Sequence, residues 1–198
     1  MRIAIDIDNI ITNTAEGVLL YINERLNTNI QISDIKSYWM ESAVPQGYEW
    51  IVEQAFEDPK MWKKEKLIDG AAQFIQKLYE DGHEIYFATA TTEHNFRKKV
   101  GFLTRSFPFL PAGYVKQHAI SIKNKQLLNV DVMIDDYLKN LTGERLYTSI
   151  CLKYPWNTGD AVKEYVAQDF WNFHYAENWA QIYMIIRQLD YERKGLFK

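Results

Sequence analysis

Arg2-Ile3-Ala4-Ile5-Asp6-Ile7-Asp8-Asn9-Ile10-Ile11 is the stretch on which the reading of this chain turns. Ile3, Ala4 and Ile5 are apolar at successive positions and mostly β-branched, the pattern of a strand buried on both faces as in parallel sheets. The same run then delivers two carboxylates, two residues apart, where the strand should pass into a loop. Ionised carboxylates at the end of a buried strand carry a large desolvation cost unless a cation or several donors compensate. A divalent metal is the first inference. Asp-x-Asp alone fits solvated or capping aspartates equally well, so corroboration has to come from the rest of the chain.

The 198 residues suit one domain, or a domain carrying an insertion, with a substantial core. A composition of 47% hydrophobic and 25% charged residues is globular, and a net charge of −3 gives no electrostatic reason to expect nucleic-acid polymers or an acidic membrane as partner. Small anions at a local site stay compatible with it. Cys151 stands alone, so no intramolecular disulfide forms, and a reducing cytoplasm suits the chain. Asp6 and Asp8 interrupt the N-terminal apolar run and no later run approaches membrane-spanning length, which points to a soluble intracellular protein.

Asn13 or Thr14 can cap a helix with Glu16 as capping-box partner, and Ala15, Val18, Leu19, Ile22 and Leu26 share one helical face. Residues 28–68 differ in texture. Ser33 and Asp34 open a further helical segment, and Tyr38, Trp39, Trp50, Phe56 and Trp62 gather among Pro45, Gly47 and Pro59. This reads as a small helical insertion, residues 14–68, in an α/β core of residues 1–13 and 69–198. Its aromatics can form the interior of the insertion or a stacking wall for a planar ligand. A homodimer contact is a further use for them.

Asp69-Gly70 starts a helix that Gly82 stops, Glu84 to Ala88 form a strand, and Thr89-Ala90-Thr91-Thr92 leads into a helix through Phe96, Val100, Leu103 and Phe107. A strand, a hydroxyl-rich turn and a helix N-terminus make an anion-binding arrangement. Ala119 to Ile122 is a short strand leading to Lys125. Val130 to Ile134 is a buried strand ending in Asp135-Asp136, Leu146 to Leu152 another strand, Tyr154 to Asn157 a loop, and Trp179 to Tyr191 a closing amphipathic helix. The four histidines, at 83, 94, 118 and 174, have no metal-ligand spacing and read as surface or core residues. Strand-helix alternation predicts a parallel sheet covered on both faces, with the carboxyl ends of its strands on one edge. Ligands of open α/β sheets bind along that edge, and here it carries Asp6 and Asp8, Thr89, Lys125, then Asp135 and Asp136.

That ordered set resembles the four motifs of the haloacid dehalogenase (HAD) superfamily of phosphotransferases: Asp6-x-Asp8, Thr89, Lys125 and Asp135-Asp136. Within it the chain is most similar to the 5'(3')-deoxyribonucleotidases and their bacterial nucleotidase relatives. The similarity rests on the helical cap after the first motif, Lys125 ten residues before Asp135, Glu177-Asn178-Trp179 at the last helix, and Pro59-Lys60-Met61-Trp62 followed by Asp69-Gly70-Ala71. Two departures stand out. Asn9 replaces the glycine common after the second aspartate, and Asn tolerates the backbone angles of that turn. Ala90 replaces a serine common after the motif-two threonine, removing one hydroxyl from the phosphate site.

The resemblance implies a Rossmann-like fold and a phosphomonoesterase of the 5'-nucleotidase type. Asp6 would be the nucleophile, Asp8 the general acid and base, and Thr89, Ala90 and Lys125 the phosphate-binding set. Mg²⁺ would be held by Asp6, by Asp135 or Asp136, and by the backbone carbonyl of Asp8. A phosphate monoester repels a carboxylate nucleophile, so cations around its oxygens are a chemical requirement, and Mg²⁺ suits a site of few carboxylates. Trp39, Trp50, Phe56, Met61 and Trp62 offer a wall for a nucleobase, which favours a nucleoside monophosphate. A phosphatase of another small monoester, such as a sugar phosphate, or a non-catalytic phosphate-binding protein are the alternatives.

Overall fold

The computed structural model describes residues 1–159, 162–163 and 172–195, so the expected C-terminal limit of the core, residue 198, lies outside the described residues. Its strands are β1 (Arg2–Asp6), β2 (Glu84–Thr89), β3 (Ala119–Ser121), β4 (Val132–Asp135), β5 (Thr148–Leu152) and β6 (Phe173–Ala176). They form one sheet of order β3-β2-β1-β4-β5-β6, with every pairing parallel.

The residues of β1 account for its central place. Ile3 lies opposite Ile85 and Val132, and Ile5 opposite Phe87 and Ile134, so large β-branched and aromatic side chains line one face. On that face they pack with Ala71, Ile75 and Leu78 of α4 (Ala71–Glu80) and with Trp179, Ile182 and Ile186 of α8 (Trp179–Arg193). Ala4 points to the other face, where Ala88, Met133 and Cys151 meet Leu138 and Leu141 of the short α7 (Leu138–Leu141) and Tyr147. Strand order reverses between β1 and β4, which run to neighbours on opposite sides, and the crevice for a ligand in such a sheet opens at that switch point.

Between β1 and α4 the chain makes α1 (Thr14–Leu26), α2 (Trp50–Glu57) and α3 (Pro59–Trp62), with one-turn 3-10 helices at Ile32–Asp34 and Met40–Ala43. These helices enclose a cluster of their own: Val18, Tyr21, Ile22, Val44, Ile51, Val52, Ala55 and Met61. The two segments that cross to the core are tied together. Thr12 bridges Leu67, the Asn13 N–H donates to the Lys66 carbonyl at 3.0 Å, and the Lys66 N–H donates to Asn13 Oδ1 at 2.8 Å. Two further helices, α5 (Glu93–Ser106) and α6 (Tyr114–His118), connect β2 to β3.

Several local expectations are corrected. The first strand ends at Asp6. Residues 7–12 instead form a turn, in which the Ile11 and Thr12 N–H groups bond the Ile7 carbonyl at 3.0 Å. Ile10 and Ile11 are buried under Trp179, whose indole donates to the Ile10 carbonyl at 2.8 Å, so their apolarity reflects tertiary burial. The Asn13 side chain does not cap α1, because it is spent on Lys66 and Glu16. The segment at Ser33 and Asp34 is a single 3-10 turn capped by Gln31. Strand β6 carried no recognised signal in Phe173-His174-Tyr175-Ala176, a short edge strand with three half-exposed residues. No described helix is long and apolar enough to cross a membrane.

Candidate active site

Strand β1 ends on Asp6, buried at the switch point. Its Oδ1 accepts from Lys125 Nζ at 2.5 Å, and the same ammonium donates to Asp135 Oδ2 at 2.7 Å. Lys125 arrives from a 3-10 turn (Lys125–Leu127) beyond β3, held by Asn124 at its start, rather than from the strand end itself. Asp135 is fixed further by the Tyr137 N–H at 2.8 Å and Asn140 Nδ2 at 2.9 Å. Asp136 accepts from Asn9 Nδ2 and from the indole of Trp156, both at 3.1 Å. One carboxylate oxygen from each of Asp6, Asp135 and Asp136 lies within 4.8 Å of the others.

Asn9 adopts φ +57°, the left-handed conformation that its side chain tolerates, and so supplies the tight turn after Asp8. The turn aims Asn9 Nδ2 at Asp136 and lets Asn9 Oδ1 accept the Ala15 N–H at 2.9 Å. Asp8 Oδ1 accepts from Thr14 Oγ1 at 2.8 Å and from the ammonium of Lys99, while Thr89 Oγ1 lies 3.4 Å from Asp8 Oδ2. Thr92 caps α5 by accepting the Asn95 N–H at 3.5 Å, which leaves a hydroxyl-rich turn from Thr89 into the helix N-terminus.

Charge crowding sets the protonation of these groups. Burial raises the Asp6 carboxyl to about 7, with Asp135 and Asp8 adding to the rise and Lys125 opposing it. Burial and the charges of Asp135 and Asp6 push Asp136 well above the ordinary carboxylate range. Asp8 goes the other way: burial works against its charge, but Lys99 and the Thr14 hydroxyl outweigh it and hold the carboxyl below its usual value. Burial would lower the Lys125 ammonium, yet Asp135 and Asp6 hold it above the ordinary lysine range. A site of three close carboxylates and one ammonium is short of positive charge. Its donors are hard oxygens, the set a small divalent cation of the magnesium type takes.

A cavity of about 720 Å³ opens from Asp8 and Asn9 toward the helical insertion. Tyr38, Trp39, Phe56 and Trp62 come to its wall from the insertion, and Ala90, His94 and Lys99 from the core. Tyr38 stacks on Tyr137, next to Asp136, with ring centroids 3.8 Å apart. Trp39 remains 63% exposed at the mouth.

Against this geometry, the family model described as "5' nucleotidase, deoxy (Pyrimidine), cytosolic type C protein" matches residues 1–190. The chain belongs to this nucleotidase family. A protein of Staphylococcus epidermidis provisionally named a 5'(3')-deoxyribonucleotidase is 29% identical over 142 residues, 71% of this chain and 76% of that protein. The 5'(3')-deoxyribonucleotidase of Bacillus subtilis is 26% identical over 144 residues, 70% and 77% of the two chains. Among solved structures, a HAD family hydrolase of Deinococcus radiodurans with bound phosphate and sodium shares the fold at a TM-score of 0.58 and 13% identity, covering 94% of this chain and 95% of that one. As a member of the family, the chain is a hydrolase of phosphoric monoesters acting on a small phosphorylated nucleotide.

The candidate site brings together Asp6, Asp8, Thr89, Lys125, Asp135 and Asp136, all six of the polar residues the sequence motifs single out. Ala90, Trp39 and Trp62 line the cavity. Met61 does not: it is buried in the cluster of α1 to α3, with its sulfur 3.4 Å from the position a Cβ on Gly17 would take. Trp50, 55% exposed, is not on the wall either. His94 is exposed, as the sequence reading allows, and lies on the cavity wall. Lys99, Thr14, Glu65 and Trp156 are site residues that the motifs passed over. Lys99 had a legible signal, since it falls between Phe96 and Leu103 on the apolar face of α5, where an ionisable residue needs a partner.

Proposed function

We propose that this nucleotidase is magnesium-dependent and removes phosphate from (deoxy)nucleoside monophosphates through an aspartyl-phosphate on Asp6. The observation that carries the reading is a charge-deficient carboxylate and lysine cluster bonded through Asn9 to the floor of a cavity that Asp8 and Asn9 line and that Trp39, Phe56 and Trp62 wall. Asp6 with Asp135 or Asp136, and the Asp8 carbonyl by family likeness, would hold Mg²⁺. Bound there, the ion would neutralise phosphoryl charge that otherwise repels Asp6.

Lys125 bridges Asp6 and Asp135 and aims positive charge at the phosphoryl oxygens, while Thr89 and the N–H groups opening α5 bind the remaining oxygens. The Asp6 carboxylate attacks phosphorus, the bond to the nucleoside oxygen breaks, and Asp8 donates a proton to that oxygen. Asp8 rests ionised, and the arriving phosphate disfavours a second negative charge beside it, which favours the proton it must carry. In the second half Asp8 takes a proton from water, the water oxygen attacks phosphorus, and phosphate leaves with Asp6 restored. Residues 14–68 act in this reading as a cap that chooses the leaving group, over a core of residues 1–13 and 69–198.

Phosphate release with Mg²⁺ from a panel of 5'- and 3'-nucleoside monophosphates and sugar phosphates tests this, with Asp6→Asn as control. Release from nucleotides by the wild type and none by Asp6→Asn is the expected result. Release from sugar phosphates alone would overturn the substrate, and full activity in folded Asp6→Asn would overturn the mechanism.

A further inference from the structure

Lys99 is buried, 2% exposed, in the second turn of α5, at a position that the family motifs leave without a role. A buried ammonium is tolerated only with a partner, and its partner is Asp8 rather than any of the three clustered acids. The face of Trp62 covers it, with Nζ 4.8 Å from the ring centroid. The same oxygen of Asp8, Oδ1, accepts the Thr14 hydroxyl at 2.8 Å, and that hydroxyl lies 3.2 Å from Glu65 Oε1 and 2.9 Å from Thr12 Oγ1. Among the described residues, Asp8 Oδ2 has only the longer contact to Thr89, at 3.4 Å. The Asp8 side chain is 27% exposed, toward the cavity.

The two oxygens of Asp8 are therefore unequal. A carboxylate at a cavity mouth would otherwise rotate among several orientations, only some of which suit proton transfer. We propose that Lys99 is the positioning residue for Asp8: with Thr14 it fixes Oδ1, leaving Oδ2 as the oxygen that exchanges the proton with the leaving group and with water. This rests on Asp8 being the acid and base. Lys99 belongs to the core, Thr14 opens the first helix of the insertion, and Glu65 lies on the segment returning from it. The aim of Asp8 thus depends on both crossing segments being seated.

The test compares leaving groups. A nucleoside oxygen needs a proton to depart, whereas 4-nitrophenolate does not, so the loss caused by misplacing the acid depends on the leaving group. Lys99→Met is expected to lower kcat on a nucleoside monophosphate roughly 10–100-fold, part of the 10²–10⁴ that acid-base assistance supplies. The pre-steady-state release of 4-nitrophenolate from 4-nitrophenyl phosphate should change less than threefold, and Lys99→Arg should recover much of the nucleotide activity. Thr14→Val is the second variant, expected to show the same leaving-group dependence more weakly, and it decides the matter if Lys99→Met does not fold. Equal losses on both substrates, or no loss on either, would overturn the role of Lys99. Asp8→Asn run in parallel separates the two levels: leaving-group dependence there without any in the Lys99 and Thr14 variants defeats the positioning role alone. Its absence in Asp8→Asn defeats the acid-base reading beneath it.

Discussion

At Asp6, burial and charge crowding pull against chemistry. To act as the proposed nucleophile Asp6 would have to be ionised, yet its surroundings raise its carboxyl to about 7, and Asp136 is raised as well. A folded-state value above the unfolded one means the folded chain holds a proton that the unfolded chain has released. Without metal, this contribution to stability is present at low pH and is lost as pH climbs from about 4 to about 7. Asp8 has the opposite sign, its stabilisation being lost on acidification. In the proposed reading metal would displace the proton on Asp6, and that on Asp136 where Asp136 is the ligand, so apparent Mg²⁺ affinity should climb as pH rises toward 7, by up to about tenfold per unit for each proton displaced. Calorimetry of the metal-free protein in buffers of different ionisation enthalpy checks this through the protons released. An affinity unchanged between pH 5 and 7 would mean that the carboxylates are already ionised. Asp6, Asp8 and Asp135 were legible in sequence because each stands where an apolar strand runs out, a position costly for charge. Lys99 left a trace only as a charge on the apolar face of α5, and that trace does not name its partner Asp8, 91 residues away in the chain.

At the scale of elements, the insertion divides its large side chains between two jobs. Met61 belongs to its interior, while Trp62, the next residue, faces the cavity and is held by its indole donating to the Phe56 carbonyl at 2.8 Å. Neighbouring residues on a helical turn point about 100° apart, so one can be core and the other wall. Met61→Ala should destabilise the fold by about 2–5 kcal/mol in denaturant melts, with KM little changed. Trp62→Ala should raise KM for nucleotides far more than for a small aryl phosphate, and equal effects on both would make Trp62 structural. Sequence alone could not separate these roles. An aromatic cluster among turn residues has no single period from which a face can be read, and here the interior of the insertion proved mainly aliphatic.

For the whole molecule, the relevant fact is that the candidate site lies where two chain segments, at Thr12 to Asn13 and Lys66 to Leu67, pass between the sheet and the helices inserted after β1. Asp8 is held by α5 of the core and by Thr14 at the start of the insertion, and Asn13 clasps Lys66 beside it. A ligand bound at this junction stabilises everything that converges there. At 100 times its dissociation constant, Mg²⁺ should add about 2.7 kcal/mol, a rise in Tm of roughly 5–10 °C for a chain of this size. Differential scanning calorimetry with and without chelator reads it, and an unchanged Tm at saturating Mg²⁺ would leave the acidic cluster without a metal-binding role.

The sequence by itself determined the parallel α/β core, since buried strands and amphipathic helices announce themselves through local periodicity. It also determined the acids, hydroxyl and lysine at the edge of the sheet, because charge at the end of a buried strand is improbable without a use. Only the tertiary structure decided that β1 stops at Asp6, that the apolar Ile10 and Ile11 lie under Trp179, and that Phe173–Ala176 adds a sixth strand. It also decided which aromatics face the cavity and that Lys99 turns to Asp8. Each of these depends on a partner distant in the chain, and partners at that range leave no periodic trace in the residues that meet them.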